Sequence, residues 1–74
     1  MRRADLELLL GREPCPQLRL HLTGGIVFDV VDPDLVVLGR STVELLQSPS
    51  EGLEREAVIN MLHIVWIEVL PAAL

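Results

Sequence analysis

Two histidines and a single cysteine are among the few residues of this 74-residue chain whose types could support chemistry. Histidine serves as a general base or a metal ligand, but a zinc site needs three or four ligands at close spacing. His21 alternates with leucines on the polar side of a predicted strand, and His63 lies at a predicted strand junction. Neither has a cysteine or carboxylate at ligand spacing. We therefore expect a surface position for His21 and a position bonded to turn backbone for His63.

The remaining candidates for chemistry are also better explained by structure. Cys15 lies between two prolines, where a reactive thiolate would require an electropositive, partly exposed setting, and a lone cysteine forms no disulfide within the chain. Asp29, Asp32 and Asp34 surround Pro33 with too few oxygen ligands for a calcium loop, which indicates turn formation. The sequence thus predicts no catalytic, metal-binding or cofactor-binding residue, and we do not expect an enzyme.

Composition limits the classes of partner. The formal net charge is −5, and six arginines without a basic run make nucleic acid an improbable ligand. The acidic N-terminus is unlike a signal peptide, and no apolar run approaches the roughly 20 residues of a membrane span. These features predict a cytoplasmic, soluble protein. A chain of 74 residues builds only a small core, and small cores are commonly stabilised by oligomerisation. Because half of the residues are hydrophobic, we expect self-association.

The strongest structural pattern is a β-hairpin over residues 18–30. Apolar and polar residues alternate on both sides of Gly24-Gly25, which permits the positive φ angles of a primed two-residue turn. The face that remains polar consists of Arg19, His21 and Thr23. A ligand, if the chain binds one, would be sought there.

The rest of the chain predicts one domain, residues 1–74. A helix is expected over residues 4–10, because Leu6, Leu9 and Leu10 share one face. Residues 35–38 and 42–46 are strand-like, either as one bent strand or as two paired strands, and residues 47–53 are typical of a loop. Residues 54–62 fit a strand or a helix, with β-branched density favouring the strand. The sum is mainly β: a small, strongly bent five-stranded antiparallel barrel over residues 17–69.

The final strand carries the residue most suited to an interface. Strict alternation over residues 64–69 turns Val65, Ile67 and Val69 to the core and leaves Ile64 and Trp66 outside. Tryptophan is enriched at interface hot spots. Ile64 and Trp66 are therefore the predicted oligomer interface, with simple core filling the alternative for Trp66.

The layout also resembles known proteins. The glycine-turn hairpin, the segment over residues 34–38 and the closing segment over residues 64–67 resemble the Sm-like small barrels of the Sm, LSm and Hfq proteins. The amino-acid sequences of residues 19–25, 32–40 and 62–68 resemble those of a group of short bacterial proteins of unassigned activity. The Sm-like resemblance implies a ring-forming fold. Val37 and Leu38 stand where that family's RNA-binding motif carries an asparagine.

Two functions follow from these observations. The first is a non-enzymatic interaction or scaffold module, without cofactor, that forms a homo-oligomer through apolar strand edges. The alternative is an RNA-binding Sm-like ring with Arg19, Arg40 and His63 on a shared surface.

Overall fold

The computed structural model describes the backbone of residues 1–50 and 53–71 and the side chains of residues 1–46 and 55–71. The chain begins with α1 (Arg3–Leu10), as expected from the leucine spacing: Leu6 is buried, and Leu9 and Leu10 pack against the core. Strands and short 3-10 turns follow. They are β1 (Leu18–Leu22), β2 (Val27–Val30), β3 (Val36–Leu38), β4 (Thr42–Ser50), β5 (Leu53–Asn60) and β6 (Ile64–Val69), with 3-10 turns at Thr23–Gly25, Pro33–Leu35 and Met61–His63.

The strands form two antiparallel sheets, which corrects the predicted five-stranded barrel. The first sheet has the order β2-β1-β6 and the second has the order β3-β4-β5. Within the described residues, six strands are present and no hydrogen-bonded ladder joins the two sheets into a closed barrel. The break lies where the Asp32 carboxylate accepts the Asp34 N–H at 2.9 Å and Pro33 contributes no N–H, so the chain turns out of β2 before β3 begins.

The predicted hairpin is confirmed, with a loop one residue longer than expected. Leu18 pairs with Val30 and Leu20 with Phe28, while the Leu22 N–H donates to the Ile26 carbonyl at 2.8 Å. Three residues therefore lie in the loop. Both glycines have positive φ, +81° and +79°, as the alternation and the Gly-Gly pair predicted.

The longest hairpin, β4–β5, replaces the predicted loop over residues 47–53. The backbone of residues 47–50 continues β4, and Ser50 pairs with Leu53, while Glu51 and Gly52 lie outside the described residues. The helix alternative for residues 54–62 is wrong. Glu56, Ala57 and Val58 pair with β4, and the strand ends at Asn60, whose side chain accepts the Leu62 N–H at 3.0 Å and opens the 3-10 turn.

The core lies between the two sheets and under α1. It takes alternate side chains from each strand, as expected of sheets with one buried face. Its members are Leu6 of α1, Leu18, Leu20, Leu22, Val30 and Ile64 of the first sheet, Val43, Leu45 and Ile59 of the second, and Met61. No helix in the described part of the chain is long and apolar enough to cross a membrane.

Candidate functional site

The outer face of the first sheet, turned away from the core, carries two of the three ion pairs found among the described residues, together with an aromatic stack. On β1 the leucines are buried while Arg19 and His21 are half-buried on the other face. The register places Asp29, Arg19 and Glu68 in one row across the three strands. Val27, His21 and Trp66 form the neighbouring row.

An ion pair occupies the charged row. Arg19 Nε donates to Asp29 Oδ1 at 2.8 Å, and a terminal guanidinium nitrogen donates to Oδ2 at 3.4 Å. The hydrogen bond from Arg19, and then its charge, lower the pKa of Asp29, with burial opposing them. The same hydrogen bond raises the already high pKa of Arg19. Each side chain is more than a third exposed to solvent, so the pair orients its members and contributes little stability.

The aromatic row centres on His21. Its imidazole is parallel to the Trp66 indole, with ring centroids 3.9 Å apart and an interplanar angle of 6°. Its Nε2 lies 3.0 Å from Glu68 Oε1, diagonally across the sheet. His21 therefore lies on the polar outer face, as expected, but only 23% of its side chain is exposed, because it stacks on Trp66 and is paired with Glu68.

A β-bulge decides which residues of β6 reach this face. Opposite His21 and Leu22 of β1 lie Trp66 and Ile64, so Val65 is an extra residue in β6. The predicted outward position of Ile64 is wrong: it faces the core with 4% exposure. Trp66 does face outward, with 49% exposure, whereas Val65 and Val69, both expected in the core, are exposed.

The free edge of β6 presents backbone groups whose positions follow from the ladder. The Leu70 N–H donates to the Gln17 carbonyl at 2.9 Å, which makes 17 and 70 a hydrogen-bonded pair. Such pairs alternate along an antiparallel ladder, so Trp66 and Glu68 bond to β1 while Ile67 and Val69 direct N–H and C=O away from it. In the described structure no strand pairs with this edge.

The three residues of the alternative RNA surface lie on different elements. Arg19 of β1 is paired with Asp29 of β2, and Arg40 is exposed between β3 and β4. His63 lies in the last 3-10 turn, where its Nδ1 is 3.1 Å from Thr23 Oγ1. Its partner is thus a side chain, and the predicted backbone bond is not what holds it.

The remaining side chains that could support chemistry are the metal-ligating types and Cys15 of the described residues. No group of three or more histidine, cysteine or carboxylate side chains there could hold a metal ion. Cys15 is half-buried, and its Sγ lies 3.9 Å from the Leu9 carbonyl and 3.5 Å from that of Pro16.

The sequence did not predict the role of Glu68 or the contact between His21 and Trp66. His21 and Trp66 are 45 positions apart in the chain, and only the register of β1 with β6 brings them together. Alternation alone places Trp66 on the outer side of its strand, but it does not say which residue of β1 lies opposite it.

No protein-family model, curated protein or solved structure was found to match the chain.

Proposed function

We propose that this chain is a non-enzymatic interaction module that binds a second copy of itself through the outer edge of β6. The observation that carries the proposal is Trp66, half-exposed on an edge strand and stacked on the His21 ring. A large aromatic side chain held in one rotamer loses little entropy on binding, which suits an interface anchor.

The main chain supports strand addition at this edge. Ile67 and Val69 present N–H and C=O groups that a further strand would satisfy. Lysine, proline and inward-pointing charged residues protect strand edges from such pairing. Strand β6 contains no lysine or proline, and its one charged residue, Glu68, lies on the outer face of the sheet. The edge is therefore open to association.

The side chains near the β6 edge also favour association with a second copy. Val65, Val69 and Leu62 are exposed close to Trp66 in the chain, and Leu62 has 82% exposure. Burying such residues against a second copy would add apolar area to a core that has ten buried members among the described residues.

A proline scan tests the edge. Val69→Pro removes an outward N–H of β6 and leaves the β1–β6 hydrogen bonds in place, so light scattering should show the mass falling to one chain, 8.2 kDa. Val27→Pro is the matched control, since Val27 directs its N–H away from β1 on the opposite edge of the same sheet. It should leave the assembly intact. Equal masses for wild type and Val69→Pro would contradict the proposal.

A charge substitution tests the anchor. Trp66→Glu should dissociate the assembly, because a carboxylate buried without a partner is costly. Leu8→Glu alters an apolar side chain on α1 that is more exposed than Trp66, and it should have no effect on the assembly. Salt-sensitive binding of a labelled RNA oligonucleotide that is lost in Arg40→Ala would instead favour the alternative function.

A further inference from the structure

A second feature of the fold, distinct from the outer edge of β6, is an apolar cleft between the two sheets. A cleft of about 310 Å³ lies between the β1–β2 hairpin and β5. Leu22, Ile26 and Phe28 form one wall, and Ala57 and Ile59 lie on the other. This volume is at the lower end of the roughly 300–1,000 Å³ typical of small-molecule pockets.

The cleft exists because the sheets are not joined there and because β5 carries a small residue. β2 and β5 are edge strands of different sheets. Ala57 pairs with Leu45, whose side chain is buried, so position 57 also faces inward but fills little space. A larger side chain at position 57 would occupy the cleft.

One end of the cleft is polar. Thr23, Asn60 and His63 line it where β1 and β5 end. Because Thr23 Oγ1 is bonded to His63 Nδ1, the Nε2 of His63 is the ring nitrogen left for a ligand, and it carries a proton when the threonine hydroxyl donates to Nδ1. In the described part of the structure no carboxylate lines the cleft, although the chain carries eleven acidic residues.

We infer that the cleft binds a small amphipathic anion, a medium-chain aliphatic carboxylate. The hydrocarbon chain lies between Phe28 and Ala57, and the carboxylate accepts a hydrogen bond from His63 Nε2. Apolar walls with a histidine at one end, and no described acidic side chain in the lining, match this chemistry and oppose a cationic amphiphile.

The test is a titration of the full chain with octanoate, followed by amide NMR shifts, beside octanol and octylammonium. Octanoate should shift the resonances of Phe28, Ala57, Ile59 and His63 and should bind tighter than either analogue. Shifts spread over both sheets, equal binding of octanol, or no binding at millimolar octanoate would overturn the inference. Shifts at these residues that depend on protein concentration without octanoate would show a second copy in the cleft and would also overturn it.

Two substitutions locate the ligand. Ala57→Leu fills the cleft and should raise the octanoate Kd by about tenfold or more, equivalent to one or two buried methylene contacts. Ala4→Leu on the exposed surface of α1 is its control and should change nothing. A melting curve shows whether Ala57→Leu remains folded.

Ile26→Glu keeps the test decisive if Ala57→Leu does not fold, because Ile26 is exposed at the rim. A carboxylate there should weaken octanoate by about fivefold and leave octanol unchanged. Trp66→Glu should leave octanoate binding intact, so failure of the proposed self-association and failure of this inference are separable.

Discussion

Each polar side chain on the outer face of the first sheet has a partner directly or diagonally across the ladder. Arg19 has Asp29, and His21 has Glu68 and Trp66. The pairs 19–29 and 21–27 are the non-hydrogen-bonded pairs of the hairpin. Side chains approach each other most closely in pairs of this kind. The register thus sets which residues interact, and the residue types determine how strongly.

The ion pair gives a pH-dependent prediction. Asp29 has a folded-state pKa below its ordinary 3.8, so its contribution to stability is fully present above that value and is lost as the pH falls through the lower folded value. Asp29→Asn should therefore be slightly less stable than wild type at pH 7 and converge with it near pH 2. Urea unfolding across that range measures the difference.

Asp34→Asn is a suitable control for this titration, because its carboxylate has no cationic partner among the described contacts. Its free energy of unfolding should stay close to that of wild type. A gap between wild type and Asp29→Asn that stays constant from pH 7 to pH 2 would contradict the role given to Arg19.

At this scale the sequence predicted exposure well where alternation is regular and failed where it is interrupted. The buried leucines of β1 and the outward Arg19 and His21 follow from period two. Ile64 and Val65 exchange their expected positions because one extra residue in β6 reverses the phase. A bulge requires a paired strand, so no single-strand pattern reveals it.

The hairpin is the element that the sequence determines most completely. Gly24 and Gly25 both have positive φ, and a Cβ at either position would meet no atom within 4 Å. The requirement for glycine there is therefore one of backbone conformation alone.

Substitutions at Gly24 should show that requirement. Gly24→Ala should reduce the free energy of unfolding by about 1–2 kcal/mol, the cost of the left-handed region for an L-residue. Gly24→Asn should cost less, since asparagine visits that region more readily. Chemical denaturation of both variants measures the ranking. Equal losses, or a larger loss for asparagine, would show that contacts rather than φ set the cost.

Elements defined by long-range pairing were harder to predict. Residues 47–50 have the polar, proline-containing composition of a loop, yet their backbone extends β4 because β5 pairs with it. Residues 54–60 contain good helix formers and become a strand for the same reason. Local propensity is a weak guide where tertiary pairing opposes it.

For the whole molecule, the consequence of two separate sheets is a set of edge strands around a small core. A closed barrel would have no edges, whereas here β2, β3, β5 and β6 each lie at the margin of a three-stranded sheet. Twelve large hydrophobic side chains are exposed among the described residues, against ten in the core. A monomer with that balance gains from association, which connects the architecture to the proposed function.

Thermal stability should therefore depend on protein concentration. Association that occurs only in the folded state stabilises by about 2.7 kcal/mol when the partner is at 100 times Kd, and 1 kcal/mol shifts the Tm of a chain this size by about 4–8 °C. We expect the wild-type Tm to rise by several degrees over a hundredfold increase in concentration. Val69→Pro should melt at a lower temperature that does not change with concentration, and Val27→Pro should follow wild type. Circular dichroism at several path lengths makes the comparison. A wild-type Tm that stays constant over this range would show that the edges remain unpaired and that the ten-residue core suffices for one chain.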